Sequence, residues 1–335
     1  MRLINRIIVL VILAALLLVA WMVFFVSTPI KLDTPTLEID LKAGSSLTSV
    51  SQQLVQQGTL QEPWSFILLV RAFGKASEIK AGNYLIESGI TPYNLFVTLT
   101  NGNTMQASIT FIEGWTFAQM RAAMMKNEAI KHVTIAYTDQ QILSNIGAKE
   151  TMPEGLFFPD SYYFSRGMSD QEMLKRAYQA MQTKLDKAWQ NRDAGLPYNS
   201  PYQALIMASI VEKETSKGNE RPLIAGVFLN RLHMGMRLQT DPAVIYGLGE
   251  HFDGNLRKND LLTDTPYNTY TRDGLPPTPI AMPGLAAIEA ALHPDKTKAL
   301  YFVGKGDGSH AFSATLVEHN QAVVRYQLGN HKNAR

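Results

Sequence analysis

The chain has 335 residues, enough for about two domains that each bury a core. Its formal net charge at pH 7 is only +2, and no cluster of lysine and arginine stands out, so no nucleic-acid partner is expected. The absence of cysteine excludes thiol nucleophiles, disulfides and cysteine-based metal sites.

The first predicted element is an uncharged apolar run from Ile7 to Val26, about the 20 residues that a helix needs to cross a bilayer. Arg2 and Arg6 precede the run and Trp21 lies toward its far end, a pattern that keeps the N-terminus inside and the rest of the chain outside. A cleavable signal peptide is the alternative, but its apolar core is usually shorter and ends at small residues. We therefore expect residues 1–30 to form a cytoplasmic tail and a single-pass anchor.

The next segments repeat one layout: a strand, a glycine, a hydroxyl residue suited to cap a helix, and then the helix. The pattern predicts strands over residues 37–41, 80–87 and 105–112, and helices that end near Gln57, Asn101 and Lys126. Together these segments predict a small α+β module over residues 31–107. Composition alone favours a purely structural module over one that binds carbohydrate.

A larger α+β region is predicted over residues 108–335, with its core at about 150–330. Residues 168–192 read as one long amphipathic helix, and a polar linker leads from it to Pro201. The glycine-rich segment Gly304–Gly308 superficially resembles a phosphate-binding loop. It lacks the required spacing and lies between two strand-like segments, so a hairpin turn is predicted there.

The candidate chemistry begins on a predicted helix over residues 203–215. On a helical wheel its apolar stripe lies between Ile206 and Val211, and Glu214 falls near the centre of that stripe. Glu212 falls nearly opposite, where it is expected to face solvent or to form a salt bridge. Loss of water raises the pKa of a carboxyl on an apolar face, which keeps a proton available for general acid catalysis. The alternative is that Glu214 merely marks a frayed helix end before Gly218.

Several short motifs follow one another along the second half of the chain. They are Glu154-Gly155, Phe158–Tyr162 (FPDSY), Ala208–Thr215 (ASIVEKET), Asn230–Leu232 (NRL), Met236–Pro242 (MRLQTDP), Tyr267–Tyr270 (YNTY), Gly274–Pro277 (GLPP) and Pro283-Gly284. In order and spacing they resemble those of the YceG-like family, the endolytic murein transglycosylases. The resemblance extends over nearly the whole chain, and the chain departs from the common pattern at Thr278 and Met282, in one loop.

This resemblance implies a cytoplasmic-membrane anchor, a LysM-like module that binds amino-sugar polymers and an α+β catalytic domain outside the membrane. It implies cleavage within peptidoglycan glycan strands that leaves 1,6-anhydro-N-acetylmuramyl ends. In the family the second glutamate of the EKET motif is catalytic, which corresponds to Glu214. The family also implies peptidoglycan synthases as partners.

Asp241 is the nearby candidate for a second carboxyl. It is predicted to cap a helix or to support the site indirectly, because a strand is expected to end there and an apolar stretch follows. The alternative is that it faces the cleft and stabilises positive charge on the sugar. A single desolvated carboxyl favours a lytic reaction over a hydrolase that pairs Glu214 with Asp241. A non-catalytic scaffold that binds cell wall is the third possibility.

Amide and aromatic side chains suit sugar recognition, and loop packing is their alternative role. Arg231 is expected either to pair with a carboxylate at the site or to form an ordinary helix salt bridge. The seven histidines lack metal-ligand spacing, so neither a metal nor a cofactor is predicted. The candidates for sugar binding are Gln239, Tyr267, Asn268 and Tyr270.

Overall fold

The computed structural model describes residues 2–102 and 106–328, and they fall into two compact units. Unit 1 contains the residues up to Ser108 together with Tyr163–Gly167. Unit 2 contains Ile109–Tyr162 and the chain from Met168 onward. Helices and strands are mixed in both, which agrees with the predicted α+β class.

Unit 1 begins with helix α1, Arg2–Ser27. Within it, Arg6–Ser27 is long and apolar enough to cross a membrane, with 22 residues and a mean hydropathy of 3.2. At about 1.5 Å per residue this segment measures about 33 Å, close to the thickness of a hydrocarbon core. The predicted anchor helix is therefore present as a helix of suitable length and composition.

The rest of unit 1 is built around a two-stranded antiparallel sheet. The two strands pair from Thr36 opposite Glu87 to Leu41 opposite Gly82, and the helices cover one side of them with a shared apolar core. Capping hydroxyls begin two of the helices as predicted, at Ser46 and Thr91. The elements are β1 Thr36–Leu41, α2 Leu47–Gln56, α3 Trp64–Ala72, β2 Gly82–Glu87 and α4 Pro92–Asn101.

Unit 2 is mainly helical. A further two-stranded sheet pairs β3 with β4, each of which has residues in both units, and the third predicted cap, Thr116, closes a capping box at the start of α5. The long helix predicted near residues 168–192 is present as α7. The elements are β3 Gln106–Thr110, α5 Phe117–Met125, α6 Asp139–Ile146, β4 Ser161–Ser165, α7 Asp170–Gln190, α8 Pro201–Glu214, α9 Arg221–His233, α10 Asp241–Leu248, α11 Lys258–Leu262 and α12 Leu285–Leu292.

Helix α8 is the central helix of unit 2. Every residue from Ala204 to Val211 is buried, and the helix packs against α7, α9, α10 and α12. It is therefore buried on all sides rather than along the single apolar stripe that the helical wheel predicted. Its last residue is Glu214, so the core of unit 2 fixes where this carboxyl lies.

The last two strands of the described chain form a hairpin, and a short helix follows it. The strands β5, Tyr301–Gly304, and β6, His310–Ser313, pair antiparallel, with Gly304 opposite His310. The glycine-rich segment between them is the predicted hairpin turn. Helix α13, Leu316–Val323, follows and contacts both strands.

Candidate active site

An open cleft of about 350 Å³ lies at the C-terminal end of α8. Helices α8, α9, α10 and α13, strand β5 and the segment before α10 contribute its walls. Its volume is within the range of small-ligand sites, and more of its lining residues carry polar side chains than apolar ones. The polar lining residues include Glu214, Arg231, Gln239, Asp241, Tyr270 and His319.

The Glu214 carboxyl lines this cleft, and the residue is half-buried. Burial raises its pKa from the ordinary 4.5 to about 7, and the nearby negative charge of Asp241 acts in the same direction. Two groups oppose the shift: the hydroxyl of Thr240 donates a 2.5 Å hydrogen bond to Oε1, and Arg231 adds positive charge. Near neutrality the carboxyl therefore exchanges a proton readily, as a general acid must.

Glu212, two residues earlier, has a different role. One oxygen binds the Arg221 guanidinium at 2.7 Å and the other accepts the backbone N–H of Gly284 at 2.9 Å. The salt-bridge alternative is confirmed, and the alternative that placed Glu212 in solvent is wrong, since its side chain is only 5% exposed. Both oxygens are bound inside the protein, so Glu212 is unavailable to a ligand in the cleft.

Asp241 is exposed and lines the cleft, where its Oδ1 accepts a 2.5 Å hydrogen bond from the hydroxyl of Tyr270. The prediction that Asp241 caps a helix is wrong by one residue, because Thr240 occupies the cap position and Asp241 is the first residue of α10. The strand expected before it is also absent from the described chain there, which is irregular over residues 236–240. The structure thus brings Glu214, Asp241 and Tyr270 to one cleft.

Gln239 and Arg231 complete the polar wall. Gln239 has a φ of +48°, a left-handed conformation that is unfavourable for a side chain with a Cβ and is often found at functional sites. The Arg231 guanidinium is buried and donates to the carbonyls of Leu238 and Leu300 at 2.8 and 2.7 Å. Neither predicted ion pair of Arg231 forms within the described residues. Its role is to hold the segment before Gln239 against β5.

The structure does not bring Asn268 and Tyr267 to the cleft. Asn268 is fully buried, and its side-chain amide donates to the carbonyls of Asp260, Leu261 and Thr263. Its oxygen accepts the N–H of Tyr270 at 2.9 Å, so every polar atom of this side chain is used in shaping the loop. The hydroxyl of Tyr267 bonds that of Thr278 at 2.8 Å. The loop-packing alternative describes both residues.

Sequence reasoning did not single out Thr240 or His319. Thr240 lies inside the MRLQTDP motif, so only its two neighbours, the predicted site residues Gln239 and Asp241, pointed to it. His319 lies on α13, stacks on Tyr301 with ring centroids 5.2 Å apart, and lines the cleft. Burial, and then the charge of Arg231, lower its pKa, so its ring is neutral near pH 7. Nothing in the spacing of the scattered histidines marks this one.

A second buried carboxyl, Glu154, lies elsewhere in unit 2. It accepts the N–H of Phe117, at the start of α5, at 3.0 Å, and the hydroxyl of Tyr246, on α10, at 3.1 Å. Burial raises its pKa to about 7 despite these bonds. Gly155 follows with a φ of +78°, and a Cβ there would overlap the ring of Pro279, so only glycine fits. Glu154 thus ties α5 to the helix that carries Asp241.

Within residues 2–102 and 106–328, no group of three or more acidic or histidine side chains is arranged to hold a metal ion.

The described part of the chain is an α+β protein with an apolar N-terminal helix and a cleft lined by Glu214, whose pKa is raised. The model of the YceG-like family matches residues 39–325, well over half of the sequence. The chain belongs to the YceG-like family.

Two curated relatives and one solved structure are similar over most of the chain. An endolytic murein transglycosylase of Bacillus subtilis is 35% identical over 321 residues, which cover 89% of this chain and 87% of that protein. One from Streptococcus pneumoniae is 26% identical, and the alignment covers 86% of this chain and 58% of the streptococcal protein. A crystal structure of a yceG-like protein from Listeria monocytogenes is 30% identical, with a TM-score of 0.52, and the match covers 85% of this chain and 98% of that one.

Proposed function

We propose that this chain is a lytic transglycosylase that cleaves within peptidoglycan glycan strands, with Glu214 as its single general acid and then base. The observation that carries the proposal is the Glu214 carboxyl, whose pKa of about 7 puts a transferable proton in the wall of an open cleft. Relatives named endolytic murein transglycosylase, one of them 35% identical, support the same reaction class.

In the first step, protonated Glu214 donates its proton to the oxygen that links N-acetylmuramic acid to N-acetylglucosamine. The bond between the anomeric carbon and this oxygen breaks, and positive charge develops on the muramyl sugar. The exposed carboxyl of Asp241 lines the same cleft and favours that charge, while its bond from Tyr270 holds it in place.

In the second step, the Glu214 carboxylate removes the proton from the C6 hydroxyl of the muramyl sugar, and that oxygen attacks the anomeric carbon. The Thr240 hydroxyl favours the carboxylate during this interval. Glu214 ends protonated, no water is consumed, and the product carries a 1,6-anhydro-N-acetylmuramyl end. One carboxyl therefore serves both steps.

A hydrolase is the second candidate, because Glu214 and Asp241 both line the cleft. In that reaction Asp241 would activate water or attack the sugar, and the new end would carry a hydroxyl from water. The Tyr270 hydroxyl bound to Asp241 weighs against it, since that hydroxyl already occupies Oδ1 and leaves one carboxyl oxygen for water or the sugar. A non-catalytic scaffold has no use for a desolvated carboxyl in an open cleft.

The proposed location follows from α1. Arg2 and Arg6 would remain in the cytoplasm, with the remaining chain on the outer side of the cytoplasmic membrane. We further propose that residues 31–107 act as a LysM-like module and residues 108–335 as the catalytic region, with peptidoglycan synthases as neighbours. The separate core of unit 1, with two helices between paired strands, supports an independent binding module.

Product analysis tests the reaction directly. Purified peptidoglycan is digested with the parent protein and with Glu214→Gln, and the new ends are examined by mass spectrometry. The proposal predicts ends lighter by one water than ordinary reducing ends, and no products from Glu214→Gln. Ordinary reducing ends would favour the hydrolase, and undiminished digestion by Glu214→Gln would favour the scaffold.

A further inference from the structure

Helix α1 changes its surroundings near its C-terminal end. Large side chains from Ile7 to Val19 are exposed along the described helix. In the last two turns, by contrast, Met22, Phe25 and Val26 pack partly buried against the core of unit 1. The helix also contacts α3 and α4 there. Its apolar surface therefore continues directly onto the surface of the module.

Trp64, the first residue of α3, is the point of continuity. Its ring stacks on that of Trp21 with centroids 4.6 Å apart and planes 14° apart, yet the residue is 52% exposed. Leu68 lies one turn further along the same face and is 38% exposed, and Arg71 extends that face. We call Trp64, Leu68 and Arg71 the α3 stripe. An apolar stripe that ends in a long cationic side chain is typical of helices at a lipid surface.

The position of Trp21 along α1 sets the depth of this stripe. Trp21 lies six residues before Ser27, about 9 Å below the end of the helix at about 1.5 Å per residue. The apolar run is about as long as a hydrocarbon core is thick, so the whole run must lie within the membrane in order to span it. Trp21 is part of this run and therefore lies within the membrane as well. Because Trp64 stacks on Trp21, it lies at the same depth, where tryptophan is enriched in membrane proteins.

A cavity of about 650 Å³ adjoins the stripe inside unit 1. Aromatic rings of Trp21, Phe25 and Trp64 form one part of its wall, and the side chains of Lys31 and Glu62 form a polar part. Glu62 Oε2 accepts the N–H groups of Trp64 and Ser65 at 2.8 and 3.2 Å, so this carboxyl is held at the start of α3. The exposed Lys31 side chain is the positively charged group of the wall. Apolar rings beside an exposed cation match the acyl chain and the phosphate of a phospholipid.

We propose that the α3 stripe and the adjoining cavity contact phospholipid of the leaflet in which α1 ends. The part of unit 1 that follows α1 is then held at the bilayer by its own surface as well as by α1. The inference rests on α1 spanning the membrane and is independent of the chemistry at Glu214.

Fluorescence quenching of Trp64 tests the proposal in the full-length protein. The chain has four tryptophans, so phenylalanine at positions 21, 115 and 189 leaves Trp64 alone while keeping an aromatic ring at its stacking partner. The protein is reconstituted into phosphatidylcholine–phosphatidylglycerol vesicles that carry bromine near the carbonyl end or near the tail end of the acyl chains. Unbrominated vesicles are the control, and circular dichroism checks the fold.

We expect carbonyl-end bromines to remove about half of the Trp64 emission, and tail-end bromines to remove less, as suits an interfacial tryptophan. Emission at long wavelength that neither lipid quenches would place the stripe in water and overturn the proposal. Blue-shifted emission that neither lipid quenches would mean that a second copy or another protein covers the stripe, which also overturns it. A protein that fails to float with vesicles would overturn both the inference and the anchor, without bearing on Glu214.

A second measurement does not depend on correct folding of the triple variant. In the otherwise unaltered chain, Trp64→Phe should remove part of the emission that carbonyl-end bromines quench, with the remainder due to Trp21 at the same depth, whereas Trp189→Phe should remove none of it. Equal quenched fractions in the two single variants would contradict lipid contact at Trp64.

Discussion

Replacement of Thr240 by valine removes the hydroxyl that donates to Glu214 Oε1 while leaving the side chain almost the same size. That hydrogen bond favours the ionised carboxyl, so its loss raises the pKa of Glu214 above about 7. A hydrogen bond to a charged group contributes about 1.5–3 kcal/mol, and one pKa unit corresponds to about 1.4 kcal/mol. Because the carboxyl reaches solvent through the cleft, we expect the lower end of this range, a rise of about one unit.

The pH dependence of kcat/KM for glycan cleavage measures this change. Glu214 must be protonated in the free enzyme to act as an acid, so the alkaline limb of the profile follows its pKa. The limb should lie near pH 7 in the parent and about one unit higher in Thr240→Val. Thr134→Val is a matched control, because that buried hydroxyl also donates to a carboxylate, at 2.7 Å from Asp170. It should lower stability without moving the limb.

An alkaline limb that stays in place in Thr240→Val, or that moves to lower pH, would refute this reasoning. Either result would mean that the limb reports a group other than Glu214 or that the hydroxyl does not stabilise its carboxylate. An equal shift in Thr134→Val would point to a general effect on the fold.

Three further predictions concern stability. Because the folded pKa of Glu214, about 7, exceeds the ordinary 4.5, the stability that its carboxyl contributes below pH 4.5 is lost as the pH rises through 7. Glu214→Gln should therefore stabilise the protein by up to about 3 kcal/mol at pH 8 and little at pH 4, and equal melting temperatures of variant and parent at pH 8 would count against this. Glu154→Ala leaves the Phe117 N–H and the Tyr246 hydroxyl without their acceptor and should lower the free energy of unfolding in urea by about 3 kcal/mol. An unchanged midpoint of the urea transition would argue against the tie between α5 and α10. Asn268→Ala should cost about 3 kcal/mol by the same assay, whereas parental stability with weaker glycan binding would make Asn268 a direct ligand.

The local elements followed from the sequence because their signals are local. Hydroxyl caps after glycine marked the starts of α2, α4 and α5, and the glycine-rich turn between two strand-like segments marked the β5–β6 hairpin. Helix α3 carried no such signal: it lacks a capping side chain of its own, and the acceptor at its start is Glu62, two residues earlier. Its apolar composition did not distinguish a helix from a buried strand.

The site was only partly predictable. Glu214 stood out because a carboxyl among apolar helix positions must be desolvated, and its raised pKa follows from that burial. The helical wheel left two alternatives for Glu212, solvent or a salt bridge, and the salt bridge to Arg221 forms because α8 is buried on every side. The role of Asn268 depended on the conformation of its own loop, whose carbonyls its amide contacts, and that of His319 depended on contacts between distant parts of the chain. Whether an amide faces a ligand or a loop carbonyl is decided by such contacts, which residue type and spacing do not encode.

Digestion of purified glycan strands by the parent protein and by Glu214→Gln, with mass analysis of every new end, tests the central claim most directly. The account predicts anhydro ends from the parent, and an intact, folded Glu214→Gln variant that releases none. Cleavage by that variant at the parental rate, or parental products whose ends have gained a water, would contradict it.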